Sequence, residues 1–143
     1  VCPAADGRAL AATTLCLINS ARAQHGARML RPERRLGRAA LGHSRDMVAQ
    51  HYFSHTSRSG LSFSARIATT GWMRGRRHWT VGESLAWQPG RPAPRGVVLA
   101  WLHSPPHRRV LLHPAFRVVG IGIAPGTPTS GPGGATYTAD FGS

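Results

Sequence analysis

From Glu33 to Gln50 the apolar positions fall at Leu36, Ala40, His43 and Met47, with Ala39 and Val48 beside them. That spacing is one face of an α-helix. A second helix is predicted over residues 13–25. Thr13 or Thr14 stands at its start, Leu15 and Ile18 lie inward, and Gly26 follows its end. Ser62 is placed to cap a short third helix, with Phe63, Ile67 and Ala68 inward and Gly71 as its stop. Residues 95–103 read as a fourth helix, burying Val98, Leu99 and Leu102 or Trp101. Ser104-Pro105-Pro106 breaks it and starts a further turn, in which His107 is the third residue. Three stretches read as strands: 79–87, 116–124 and 135–141. A Pro/Gly-rich hairpin loop over 125–134 makes the last two antiparallel. Gly120 and Gly122 are two apart and share a strand face, which predicts a bulky element packed close against it.

Several polar residues sit on these apolar faces. Asn19 and Arg22 share a helix face with Ile18 and read as structural groups bonded to neighbouring loops. His43, alone on an apolar stripe, reads as a core histidine. Three others stand out more. His55 lies in the loop HYFSHTSRSG, Glu83 is the one acid between Asp46 and Asp140, and His107 follows two prolines. An isolated glutamate within an apolar stretch must meet a cation, a metal or hydrogen-bond donors. His55, Glu83 and His107 are therefore expected to meet in one cleft. Two imidazoles and a carboxylate suit Zn²⁺ as ligands; a metal-free cluster that orders the loops, or pairing of Glu83 with an arginine, is the alternative. His103 and His107 are not an i,i+4 metal pair, because the prolines interrupt the helix between them. Ser54, Ser57, Ser84 and Ser104 neighbour the three residues, but none lies in a G-x-S-x-G elbow, so a hydrolase has no motif here.

Charge narrows the partners. Eighteen basic residues, all arginine, face five acids, for a net charge of +13. Such a field draws anionic polymers, lipid headgroups or nucleic acid. The run Trp72–Trp79 adds a Trp/Arg-rich patch, without a nucleic-acid motif. Among 143 residues no apolar run approaches the roughly 20 that a membrane helix needs, and the length suits one domain over 1–143, expected as a monomer. The first residues, 1–12, read as an irregular extension. Cys2 and Cys16 are the only cysteines and have no C-x-x-C neighbour, so they are expected to pair in an oxidising compartment and tie that extension down; two buried thiols are the alternative. The chain starts without Met, which fits either a removed secretory signal or a fragment.

The stretches LINSARAQHG, LGRAALGHSRDMVAQHYFSHTS, GESLAW, AWLHSPPHRRVLLHPAFRVVGIGIA and YTADF, in that order, resemble the CAP superfamily. These are the cysteine-rich secretory, antigen 5 and pathogenesis-related proteins, and the nearest likeness is to small bacterial secreted members. The resemblance spans about Leu15 to Phe141. It implies an α+β fold, a three-layer α-β-α sandwich around a three-stranded antiparallel sheet, and secretion. It also implies a cleft of two histidines and two acids that sometimes holds a divalent metal. His55, Glu83 and His107 match three of those positions. The second acid has no match, since 95–106 contains no Asp or Glu, and Ser84 stands where the family has Asn. Most members are regarded as binding or signalling modules, so a binding domain is expected ahead of a metal-assisted hydrolase or a binder of anionic polymers.

Overall fold

The structure is a computed structural model, which describes all residues except Val1, Ala5, Asp6, Arg8 and Ser130. Its elements run α1 (Leu10–Gln24), β1 (Arg31–Pro32), α2 (Arg34–Gln50), α3 (Phe63–Thr69), β2 (Val81–Gln88), α4 (Pro94–His103), α5 (Pro105–Leu111), β3 (Val118–Pro125) and β4 (Ala135–Gly142). One sheet, in the order β1-β3-β4-β2, is sandwiched between helices. The expected antiparallel three-stranded sheet is present as β3-β4-β2. A fourth strand joins it: Arg31 and Pro32 pair parallel with Val118 and Val119. Pro32 therefore belongs to a sheet edge, where its missing N–H costs nothing. The helix begins beyond it, with the Glu33 carboxylate accepting from Leu36 N at 2.8 Å.

Both faces of β4 are buried. Tyr137, Ala139 and Phe141 face a core built with Ile18, Val97, Val98, Trp101, Leu111 and Phe116. The alternate residues face α2, where the Ser44 hydroxyl meets Thr138 Oγ1 at 2.7 Å and donates to the Gly122 carbonyl at 2.8 Å. Leu36, Ala40, His43 and Met47 are all buried, so the α2 stripe is the core face the periodicity predicts. Gly120 and Gly122 are where α2 lies on the sheet. A Cβ on either would collide with the α2 backbone, at Leu36 and Gly37 or at Ala40 and Leu41. Among the described residues no helix is long and apolar enough to cross a membrane.

Two predicted burials do not hold. Ala68 and Leu99 are exposed, because α3 and α4 each bury a narrower stripe centred on Ile67 or on Val98 and Trp101. α1 also begins earlier than the threonines suggest. Ala11 and Ala12 favour helix, and Thr14 Oγ1 donates back to the Leu10 carbonyl at 2.7 Å instead of capping. Thr13 Oγ1 reaches out to the Pro3 carbonyl at 3.2 Å. Asn19 and Arg22 do serve the loops. Asn19 exchanges two hydrogen bonds with the Leu30 backbone, and Arg22 donates to the carbonyls of Arg28, Leu111, His113 and Phe116.

Cys2 and Cys16 form a disulfide, with Cα atoms 5.6 Å apart. It ties the chain start to the middle of α1 across a separation of 14 residues. A loop of that size restricts the unfolded chain by about 3 kcal/mol. Urea denaturation of the Cys2→Ser/Cys16→Ser protein should show a loss near that figure, and reductant should move the parent to the same midpoint. A midpoint unmoved by reductant would show that the crosslink adds no stability.

Candidate functional site

β2 is the edge strand on the side opposite β1. It is contacted by α3 and by α5, and the loop between α2 and α3 carries His55 to it. His43 anchors the start of that loop. Its Nε2–H donates to the Ser54 carbonyl at 2.7 Å. Burial first, and then the Arg66 charge, lower the His43 pKa against the smaller opposing pull of Glu83, Ser54 and Asp46, so this buried ring is neutral. It is the core histidine the sequence predicts.

His55 Nδ1–H donates to Glu83 Oε1 at 2.9 Å; the His55 side chain is 51% exposed and that of Glu83 is 0% exposed. The Phe63 ring stands 6.2 Å from the imidazole. The other glutamate oxygen is taken as well: Arg66 Nη2 donates to Glu83 Oε2 at 2.6 Å. Arg66 Nη1 donates to the His55 carbonyl at 2.6 Å, to Ser57 Oγ at 3.2 Å and to the Leu61 carbonyl at 3.3 Å. One buried guanidinium on α3 thus holds both the glutamate of β2 and the loop that presents His55.

Directly across the register from Glu83 stands Asp140 of β4. It is fully buried, and neither carboxyl oxygen has an N–H or hydroxyl donor among the described residues. Two carboxylates side by side in the interior cannot both stay charged. Burial raises the Asp140 pKa well above its ordinary 3.8, and the hydrogen bond and charge of Glu83 raise it further, outweighing Arg66. Burial would also raise Glu83, but hydrogen bonds from His55 and Asp140, with the charge and hydrogen bond of Arg66, hold it below 4.5. The pair thus favours the proton on Asp140 and the charge on Glu83.

The two carboxyl groups give stability opposite dependences on pH. Asp140 contributes stability that is present below its unfolded value of 3.8 and is lost as pH rises through its elevated folded value. Glu83 contributes in the opposite sense, with stability lost as pH falls through its depressed value. Asp140→Asn keeps a donor toward Glu83 but cannot ionise. The urea midpoint of this variant should gain on that of the parent as pH rises above 3.8, where the unfolded aspartate ionises and the folded one resists. Parallel curves would show that Asp140 is not the protonated partner.

His107 sits in the first turn of α5, its Nδ1 3.0 Å from Ser104 Oγ. Ser104 thus precedes α5 as the sequence predicts, but its side chain turns to His107 instead of capping the helix. Burial, and then the charge of His55, lower the His107 pKa, so the two imidazoles lie within electrostatic reach of each other. His107 makes no hydrogen bond to Glu83 among the described residues.

A three-ligand metal centre does not fit this arrangement. Both Glu83 oxygens are already hydrogen-bonded, one of them to a cation. Among the described residues no three His, Cys, Asp or Glu side chains gather closely enough to hold a metal ion. Sequence reasoning placed His55 beside Glu83, which is observed, and pairing of Glu83 with an arginine, one of its alternatives, is observed through Arg66. It did not single out Arg66 among the arginines, and it missed Asp140.

The family model of CAP, the cysteine-rich secretory protein family, matches residues 15–141. The chain belongs to the CAP family. One relative in it is the uncharacterized protein YkwD of Bacillus subtilis (strain 168), 33% identical over 107 residues, which are 74% of this chain and 39% of that protein. An extracellular protein containing an SCP domain from Bacillus anthracis str. Ames superposes with a TM-score of 0.77 at 25% identity, covering 94% of this chain and 40% of that one. An outer surface protein from Borrelia burgdorferi superposes with a TM-score of 0.78 at 19% identity, over 99% of this chain and 98% of that one, a likeness of fold. The chain thus spans about two fifths of the length of YkwD and of the Bacillus anthracis protein.

Proposed function

We propose that this CAP chain is a secreted binding module, whose site is the His55, Glu83 and His107 region at the β2 edge and whose ligand is a small neutral or anionic group. The observation that carries this reading is that Glu83 has no free oxygen. A carboxylate bonded at both oxygens, and next to an acid that is already neutral, is poorly placed to act as a general base or a cation ligand. What it does is hold the half-exposed His55 ring by Nδ1, with Nε2 unbonded among the described residues. The Ser104–His107 contact likewise occupies Nδ1 and leaves Nε2 of the second imidazole for a ligand.

The charges in the site support the same reading. Glu83 offsets Arg66, and burial beside Glu83 disfavours the charged form of Asp140, so the site carries little net negative charge. Secretion is supported by the disulfide and by the extracellular description of the Bacillus anthracis relative.

Inorganic phosphate and zinc are opposed probes of this reading. In NMR titrations, phosphate should shift the His55 and His107 imidazole signals, and His55→Ala should remove the response at His107. Calorimetry with zinc should show no tight site. Tight zinc binding that Glu83→Gln abolishes would overturn the reading in favour of a metal centre.

A further inference from the structure

We propose that the segment from Trp72 to Thr80 is a docking surface for a membrane that displays anionic phospholipid headgroups. The proposal goes beyond the cleft and does not depend on it.

The segment is built and held in place. Backbone hydrogen bonds from Gly71 N to the Ala68 carbonyl, Arg74 N to the Gly71 carbonyl and Arg76 N to the Met73 carbonyl wind it into consecutive tight turns, at 3.1, 3.0 and 3.1 Å. Gly71 and Gly75 supply the left-handed residues, at φ +85° and +80°. Trp72 is buried beneath, and the Arg76 guanidinium lies 4.2 Å from the centre of its ring while Arg76 Nε donates to the Trp72 carbonyl at 2.8 Å. At the far end Thr80 exchanges two backbone hydrogen bonds with Ser143. Trp79, 46% exposed, is therefore fixed just outside the paired end of the sheet.

Apart from Gly75 and Thr80, the exposed residues of this frame are arginine, histidine or tryptophan. Arg74, Arg76, Arg77, His78 and Trp79 are all exposed. None of the three arginines has a carboxylate partner among the described residues, where every acid is engaged elsewhere. Glu33 caps α2, Asp46 accepts from Gln50 and Tyr52, Glu83 holds His55 and Arg66, and Asp140 is buried. An ordinary solvated face would mix both signs of charge.

Arginine beside a rigid exposed indole suits the boundary between headgroups and acyl chains. There the guanidinium meets phosphate and the ring rests on the apolar edge. A soluble polyanion would use the arginines and leave Trp79 without an apolar surface to cover, which is why the lipid surface is favoured.

The test is vesicle co-sedimentation of the whole chain, with phosphatidylcholine alone and with phosphatidylcholine mixed with phosphatidylglycerol. Binding should require phosphatidylglycerol and weaken sharply as salt rises past about 0.1 M. Each exposed arginine should add about fivefold, so Arg74→Gln/Arg77→Gln, which spares the Arg76–Trp72 stack, should lower partitioning about 25-fold. Lipids brominated in the acyl chains should quench indole fluorescence, and Trp79→Phe should remove that quenching while circular dichroism stays unchanged. Equal binding to both kinds of vesicle, or quenching that survives Trp79→Phe, overturns the proposal. So does tight binding to an oligonucleotide with none to the vesicles, which would assign the arginines to a polyanion.

Discussion

Gly120→Ala should leave the chain largely unfolded at temperatures where the parent is native. The new Cβ would fall 2.5 Å from the Leu36 carbonyl oxygen, and closer still to Leu36 C and Gly37 N. All of these are α2 backbone atoms, so no side-chain rotation relieves the overlap. The helix must lift from the sheet, carrying Leu36, Ala40 and Met47 with it. Overpacking in a core costs about 1–3 kcal/mol when side chains can adjust, and here they cannot, so at least about 4 kcal/mol is expected. Gly42→Ala on the same helix is the control. A Cβ there meets nothing within 4 Å, and alanine in a helix interior should add about 0.5–1 kcal/mol. Thermal melts of the two variants should therefore move in opposite directions. A Gly120→Ala protein that melts like the parent would mean that α2 does not rest on the sheet at this depth.

Glu83→Ala carries the second large effect. It removes the one carboxylate that faces Arg66, whose side chain is 10% exposed, and strands a buried cation. Breaking a buried pair from one side costs about 3–5 kcal/mol. The same change frees His55 and leaves Asp140 without an acceptor. Replacing both partners, as Glu83→Leu/Arg66→Met, should cost less than the sum of the single changes, because no uncompensated charge remains. It will not be free of cost, since the His55 and Leu61 carbonyls lose their donor. A complete double-mutant cycle by urea denaturation measures the coupling. Additive single effects would show that Glu83 and Arg66 do not act as a pair.

Residue types differ in how much they reveal by themselves. Glu83 was legible because an acid alone in an apolar stretch needs a partner. The α2 stripe and the paired glycines were legible because period and spacing translate directly into faces. Arg66 was not, since it is one of eighteen arginines and nothing local separates it from those on the surface. Asp140 was hidden by its neighbours. Thr136, Thr138 and Asp140 alternate with Tyr137, Ala139 and Phe141, a pattern that reads as a strand with one wet face. α2 covers that face, so the polar side chains are buried and the aspartate becomes half of a carboxyl pair. β1, two residues long and half proline, leaves no periodicity to detect.

The bond from Ser44 to Gly122 and Thr138 has a consequence for motion. It fastens α2 to the middle of the sheet at the level where the glycines let the backbones touch. The loop that carries His55 is fastened mainly by side chains, those of Arg66, His43 and Glu83. Local opening follows such divisions. The α2–β3–β4 interlock is expected to open last, whereas the His55 loop can swing out once its side-chain bonds to Arg66, His43 and Glu83 are released. Access to the cleft is then a matter of side-chain hydrogen bonds breaking at its rim, with the scaffold underneath remaining shut.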